Sequence, residues 1–419
     1  CSAVNGAYFY GIQCGGPGVS IQNNSFKNIT SNASYGFQMI TSSNYTPLVG
    51  QINEFNYNTA ENIVQTNTTS SNDDMGIFKI ASGAGLPANL HCIGNRIGSL
   101  TTANDIVFHG SLIRPFYLNI WHNALRVDSN TICNMLLDKE STSPNVMLEI
   151  IAKSNASCAY NSVFNIKSKS KYNSPEASTP HASLTGMIIN CSDGFLATNS
   201  QVHHNTIDNL NNSNNTPLSY GISVAGIIIK GASQLIDSYS IYNNKVTGLI
   251  NQGISSGANP YVFGIAYQAD TKSLWYNNAI YLSNGGYTNA INNYCVRKFF
   301  NYYKGIKFYH NTLVLGGSSV PNGNGYCLYK DYNAAMDTMK NNLFRCLVYP
   351  SGSYYCVGTN ALALNEWGFS DYNVFYNFYG NQMGYKPTSA VNFTGWKLFF
   401  LGTELHSQYR DFLLQDILA

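Results

Sequence analysis

A nine-residue pattern of apolar and polar positions recurs along this chain. The copy at Ile21 reads IQNNSFKNI, and nearly all copies are apolar at the first, sixth and ninth places. Eleven copies share asparagine at the fourth place: Asn24, Asn58, Asn95, Asn130, Asn161, Asn205, Asn244, Asn278, Asn311, Asn342 and Asn373. The apolar places alternate with polar ones around a short turn, which predicts a strand, a bend and a second strand, not an amphipathic helix.

The spacing of the copies favours a coil with loops of variable length. Successive fourth-place asparagines lie 31 to 44 residues apart, which is too irregular for a helical hairpin of fixed geometry. A further apolar strand recurs between the copies, as in YGFQMI at Tyr35 and MGIFKI at Met75. Each coil therefore has at least two strands and a loop, which is typical of a three-sided solenoid.

We expect the fourth-place asparagine to have two roles. Its side chain tolerates the left-handed backbone region that a tight bend requires. Its amide both donates and accepts hydrogen bonds, so asparagines stacked on successive coils can form a ladder that satisfies itself.

Eleven asparagine-anchored coils resemble the right-handed parallel β-helix proteins of the pectate-lyase-like architecture. The resemblance implies an all-β solenoid over residues 19–378, with an N-terminal covering segment at 1–18 and a C-terminal capping segment at 379–419. It does not define a function, because this architecture is shared by polysaccharide lyases, glycoside hydrolases, phage tailspikes and adhesins.

The end of the chain is similar to the tail of secreted or surface β-helix repeat proteins of Bacteroidota-type bacteria. The matching residues are Ser370, Asp371, Tyr372, Asn373, Trp396, Gly402, Glu404 and Ser407. The Asp-Pro that often follows in those proteins is absent here. The resemblance implies a secreted or cell-surface location, and we expect a helix near residues 396–401.

Composition narrows the classes of function. Charged residues make up 11% of the 419 residues and the net charge is +2, so electrostatics give no reason to expect nucleic-acid binding. Without a run of about 18 apolar residues, we expect no transmembrane segment. The start at Cys1 suggests a mature or trimmed chain.

The ten cysteines have no spacing typical of a zinc site, so we predict no metal and no cofactor. Cys92 and Cys158 occupy the inward first place of their copies, and Cys327 and Cys356 recur in similar Tyr-Cys strands. We expect these four to act as small buried hydrophobes. Disulfides stay open for the others.

Residues at the same place of successive copies should stack into a column along the solenoid. In the two outward columns, at the second and seventh places, no two carboxylates are neighbours. This absence counts against a calcium-dependent lyase and against a paired-carboxylate glycosidase. The best remaining catalytic candidates are His203, His204, Asp208 and Lys167, since a histidine near an acid and a lysine can serve as a general base. We prefer the alternative that these are exposed or turn-supporting residues.

Tyrosines form a more promising column. Tyr242, Tyr276 and Tyr309 occupy the same outward place on three consecutive coils, and we expect Tyr281 on the same face. Their rings could contact a glycan, contact another subunit, or simply stack as a structural ladder.

A weakly charged solenoid with two open ends favours self-assembly. We therefore predict a non-enzymatic extracellular or cell-surface structural or adhesive protein, which self-assembles as a fibre, sheath or matrix, or contacts polysaccharide. The alternatives are a carbohydrate-active enzyme, either a polysaccharide lyase or a glycoside hydrolase, and a phage tail or receptor-binding fibre.

Overall fold

A computed structural model describes most of the chain. The described residues are 8–15, 18–33, 36–45, 50–67, 74–82, 89–120, 124–152, 155–173, 182–191, 199–218, 222–231, 238–254, 260–269, 271–283, 290–299, 305–317, 323–331, 337–347, 353–360, 367–378, 380, 382–386, 389–399 and 404–411.

These residues form three long sheets, which we number by their place around the fourth-place asparagine. Sheet 1 precedes the asparagine and has eleven strands. They are Ser20–Gln22, Ile52–Asn56, Asn89–Ile93, Ala124–Asp128, Asn155–Ala159, Ser200–His203, Ser238–Tyr242, Lys272–Tyr276, Ile306–Tyr309, Asp337–Lys340 and Trp367–Asp371.

Sheet 2 follows the asparagine and has 14 strands. They are Ser25–Ser31, Thr59–Gln65, Arg96–Ile97, Ile106–Phe108, Thr131–Leu137, Ser162–Ser168, Thr206–Asn212, Lys245–Val246, Leu249–Asn251, Ala279–Ser283, Thr312–Gly316, Leu343–Cys346, Val374–Asn377 and Gln408–Tyr409.

Sheet 3 links the second sheet of one coil to the first sheet of the next, and it also has 14 strands. They are Tyr8–Cys14, Gly36–Tyr45, Asp74–Met75, Phe78–Ser82, Phe116–Ile120, Asn145–Ala152, Leu184–Cys191, Ser223–Gly231, Tyr261–Ala269, Asn292–Lys298, Asn324–Lys330, Ser353–Thr359, Gln382–Lys386 and Ser389–Asn392. Only the last two of these pair antiparallel in the described part of the chain. The predicted all-β parallel β-helix solenoid is confirmed.

The asparagine ladder is also confirmed, and it is continuous from Asn24 to Asn373. Each Oδ1 accepts two hydrogen bonds from the previous ladder asparagine, one from its Nδ2 and one from its backbone N–H, as Asn58 does from Asn24. Nδ2 to Oδ1 distances are 2.8 to 3.1 Å along the ladder. Beyond the first rung, each Nδ2 also donates to a backbone carbonyl of sheet 1 on the preceding coil, as Asn205 does to Cys158. The buried amides are thereby satisfied.

The prediction that the ladder asparagines adopt the left-handed backbone conformation was wrong, because the residue before each of them adopts it. The left-handed conformation belongs to the third place of each copy, where φ lies between 53° and 66°. Its occupants are Asn23, Tyr57, Gly94, Ser129, Tyr160, His204, Asn243, Asn277, His310, Asn341 and Tyr372. This residue turns the chain between sheets 1 and 2, and the next side chain can then point inward to form the ladder.

Apolar side chains from all three sheets fill the interior. Trp275, Phe308, Phe344 and Phe375 are fully buried on successive coils. The nine cysteines in the described part of the chain are free thiols, and Cys92, Cys158, Cys327 and Cys356 are fully buried, as expected for small hydrophobes. Cys1 lies outside the described residues.

Part of the outward face of sheet 3 is buried as well. Phe263, Tyr294, Tyr326 and Tyr355 stack on consecutive strands with ring centroids 5.6 to 5.7 Å apart. The guanidinium of Arg297 lies over the Tyr294 ring. Aromatic stacking therefore stabilises this sheet on its outer side as well as its inner side.

The C-terminal motif closes the ladder. Ser370 donates a hydrogen bond to Glu404, and the Oγ of Ser407 accepts from the backbone N–H of Asn373 at 2.9 Å. A short helix, Phe393–Phe399, buries Trp396 completely. The expected boundaries of the two covering segments remain predictions. No helix within the described ranges has the length and apolar character to cross a bilayer.

Candidate functional site: the outer face of sheet 1

The catalytic candidates from the sequence do not form one site. His203 ends a strand of sheet 1 and His204 lies in the bend, whereas Asp208 and Lys167 lie on sheet 2 beyond it. Asp208 accepts a hydrogen bond from the Thr247 hydroxyl at 2.6 Å. The bend therefore separates the histidines from the acid and the lysine.

The two histidines contact each other directly. The Nδ1 atoms of His203 and His204 are 2.8 Å apart, so one ring must donate and the other accept. Burial and the neighbouring His204 lower the pKa of His203, against an opposing effect of Asp128. The pair is therefore suited to the neutral form of His203.

Two of the three column tyrosines, Tyr242 and Tyr276, stack tightly. The Tyr242 ring lies between His203 and Tyr276, with centroids 4.5 and 4.6 Å away and planes within 5° of parallel. Both faces of Tyr242 are thus occupied, and the ring presents its edge and hydroxyl outward. Tyr309 follows Tyr276 in register on the next strand. Tyr281 does not share this face, because it belongs to sheet 2 on the other side of the bend.

Beside the aromatic column, the outer face of sheet 1 forms a shallow trough. The trough is lined by a second outward column, two residues before the tyrosine column. In register this column contains Ser20, Glu54, His91, Arg126, Ser157, Gln201, Ser240, Leu274, Lys307, Thr338 and Phe369. Two cavities lie in it, of about 270 and 470 Å³, and Asn199 lines both.

Amide and hydroxyl groups dominate the middle of the trough. Asn199 Oδ1 accepts hydrogen bonds from Ser238 and Ser240 at 3.4 and 3.2 Å. The Tyr242 hydroxyl donates to Gln201 Oε1 at 3.4 Å, which joins the aromatic column to the trough. Neutral groups that both donate and accept suit a ligand rich in hydroxyls.

One end of the trough carries charge that the sequence pattern did not predict. Glu54, His91 and Arg126 are register neighbours on three consecutive strands. Arg126 pairs with Asp128 at 2.6 Å, and Glu54 accepts a hydrogen bond from Gln22 at 2.6 Å. Burial and Arg126 lower the pKa of His91, whereas Glu54 opposes them. This column lies at neither the second nor the seventh place of the repeat, although the alternation of the strands places its residues outward.

No metal site is formed by histidine, cysteine, aspartate or glutamate within the described ranges. The two carboxylates at the charged end instead accept hydrogen bonds from neighbouring side chains, which holds them in fixed positions. The charged end of the trough therefore consists of hydrogen-bonded carboxylates beside His91 and Arg126.

Fold and site together define a parallel β-helix solenoid with an elongated polar trough on one face. A scan against protein-family models finds no match, and no curated protein or solved structure matches the chain.

Proposed function

We propose that this protein is a non-enzymatic, extracellular or cell-surface adhesive protein that binds a glycan chain along the trough of sheet 1. The observation that carries the proposal is the trough itself, with two cavities joined at Asn199 beside a stacked aromatic column. A glycan fits this shape because the trough is long, shallow and lined by amides and hydroxyls.

The chemistry of the trough fits sugar hydroxyls. Asn199 and Gln201 offer amide groups on one coil, and Ser157 and Ser240 offer hydroxyls on the preceding and following coils. Strands in a sheet repeat about every 4.8 Å, so equivalent groups recur along the ligand. The tyrosine column adds ring edges and phenol hydroxyls at the rim, and the stacked ring of Tyr242 offers no free face.

The proposal also includes a relationship to other β-helix proteins and a location outside the cell. The repeated coils and the tail motif support a relationship to pectate-lyase-like β-helix proteins and to secreted β-helix proteins of Bacteroidota-type bacteria. Low charge supports ordered self-assembly of the solenoid outside the cell. Binding along the trough is compatible with such assembly, because sheet 1 faces sideways from the stacking axis.

A glycan array with the purified chain tests the proposal, followed by calorimetry with the best oligosaccharide. Ser240→Tyr fills the trough, and Ser162→Tyr makes the same change on the outer face of sheet 2. We expect Ser240→Tyr to weaken binding at least tenfold and Ser162→Tyr to leave it unchanged. Equal affinity of the two variants, or an array without any bound glycan, overturns the proposal. Release of sugar fragments during incubation would favour the enzyme alternative.

A further inference from the structure

The larger cavity of the trough is lined by positively charged side chains. It has a volume of about 470 Å³ and lies where the strands Ser238–Tyr242, Lys272–Tyr276 and Ile306–Tyr309 run side by side. Its charged lining consists of Lys272 and Lys307, and no carboxylate lines it in the described part of the chain. The other cavity differs, since its cation Arg126 is already paired with Asp128.

The two lysines face the same space from adjacent strands. Lys307 is the register partner of Leu274, and Lys272 lies two residues before Leu274 on the same face. Both side chains are exposed, and within the described ranges neither forms an ion pair. Two ammonium groups that converge on one cavity without a counter-charge favour an anionic ligand group there.

The uncharged residues that line the cavity indicate which other groups the ligand has. Leu274 is 36% exposed and provides an apolar surface in the cavity. Ser238, Ser240 and Thr338 surround it with hydroxyls. Sugar rings combine an apolar C–H face with hydroxyls, and an acidic sugar adds the anionic group. The cavity therefore matches one ring of an acidic glycan more closely than it matches a neutral sugar.

We propose that the cavity over Lys272 and Lys307 is an anion-selective subsite, and that the glycan bound by the trough carries carboxylate or sulfate groups. This inference rests on the proposed glycan binding. Lysine acts as a compact point charge without fixed bidentate geometry, so it accepts either anionic group.

The test compares oligosaccharides that differ only in charge. Galacturonate tetrasaccharide and its methyl ester form the carboxylate pair, and a sulfated galactan tetrasaccharide and its desulfated form make the sulfate pair. We expect calorimetry to show at least tenfold tighter binding of the charged member in one of the pairs. That preference should fall as salt is added, because the lysines are exposed.

Variants assign the preference to the cavity. Lys272→Gln combined with Lys307→Gln should abolish the preference for the charged member while binding of the neutral member persists. Lys167→Gln combined with Lys397→Gln removes the same net charge elsewhere and should keep the preference. Equal binding of charged and neutral members overturns the inference and leaves the proposed function standing. Loss of preference in both double variants also overturns it, whereas failure to bind any glycan overturns the proposed function itself.

Discussion

Asn161 donates a side-chain hydrogen bond to Asn205 at 3.0 Å, although 44 residues separate the two in the chain. This is the widest gap in the ladder, and its geometry matches that of the narrowest gaps, such as Asn130 to Asn161 at 2.9 Å. The extra residues therefore leave the stacking of the coils unchanged. The amide ladder sets the register of the solenoid independently of loop length.

Asn205→Ala should strongly destabilise the fold. Asn205 accepts two hydrogen bonds from Asn161 and donates to Asn244 and to the Cys158 carbonyl, all in the buried interior. Each buried group left unsatisfied costs about 1–3 kcal/mol, so we expect a loss of about 3 kcal/mol or more. Urea unfolding followed by circular dichroism measures it.

The matched control is Asn119→Ala, at a half-buried outward position in sheet 3. Asn119 forms no side-chain hydrogen bond within the described ranges, so its loss should cost less than about 1 kcal/mol. Equal losses in the two variants would contradict a structural role for the ladder.

Asp337→Asn should also destabilise the fold, for an electrostatic reason. The Asp337 carboxylate is fully buried and pairs with Lys298 at 2.8 Å and with Lys330 at 2.9 Å. Neutralising it removes this counter-charge from two buried ammonium groups, and breaking buried pairs in this way costs about 3–5 kcal/mol.

Urea unfolding at neutral pH measures this loss as well, with Asp138→Asn as the control. Asp138 pairs with Lys169 at the surface, where ion pairs contribute about 0–1 kcal/mol. The prediction fails if Asp337→Asn costs no more than its control.

The free energy of unfolding of Glu404→Gln, relative to that of wild type, should be higher at pH 8 than at pH 4. Burial raises the pKa of Glu404, although hydrogen bonds that include one from Ser370 oppose the shift. A raised carboxyl pKa means that the folded state holds its proton more tightly than the unfolded state. Ionisation therefore costs stability as the pH rises through the unfolded pKa of about 4.3 and the raised folded pKa.

Urea unfolding of wild type and variant at the two pH values gives this difference. Glutamine removes the ionisation, so the stability of the variant relative to wild type should rise with pH. A difference that shrinks with pH would show that the Glu404 carboxyl favours its ionised form in the fold.

His204→Asn should raise the pKa of His203. Burial is the first cause that lowers this pKa, and His204 is the second, so removal of His204 leaves burial and the opposing effect of Asp128. Asparagine fits the bend, since Asn243 and Asn277 adopt the same positive φ on the next two coils. Nuclear magnetic resonance titration of the imidazole protons measures the shift.

The same change alters stability in mildly acidic solution. A lowered histidine pKa means that stability is present above the unfolded pKa of about 6.5 and is lost as pH falls below it. The variant should therefore lose less stability between pH 7 and pH 5 than wild type does. An unchanged His203 titration would show that the contact between the rings has no electrostatic effect.

The ladder and the coil were predictable because their signal is local and repeated. One side chain type recurs at each bend, and the alternation around it fixes which neighbours point inward. The same reasoning placed the left-handed conformation on the ladder residue, whereas it belongs to the residue before. Tyr57, Tyr160 and Tyr372 there are not types that usually mark a positive φ, so the residue types concealed the position.

The site was predictable only in part, because it depends on which columns share a face. Tyr281 was expected beside Tyr242, yet the bend between sheets 1 and 2 turns its strand away. The column that lines the trough lies two residues before the tyrosine column, where serine, glutamine and lysine form no conspicuous motif. The buried part of the outward face of sheet 3 was missed too, since its burial depends on tertiary packing and not on the pattern of a single strand.

Glycan binding along sheet 1 is tested most directly by a crystal structure of the protein with the oligosaccharide from the array that binds most tightly. We predict density for sugar rings along the outer face of sheet 1, between His91 and Thr338, with one ring over Leu274. An intact ligand bound on sheet 2 or sheet 3 would contradict the assignment of the trough, and a cleaved one would contradict the non-enzymatic function.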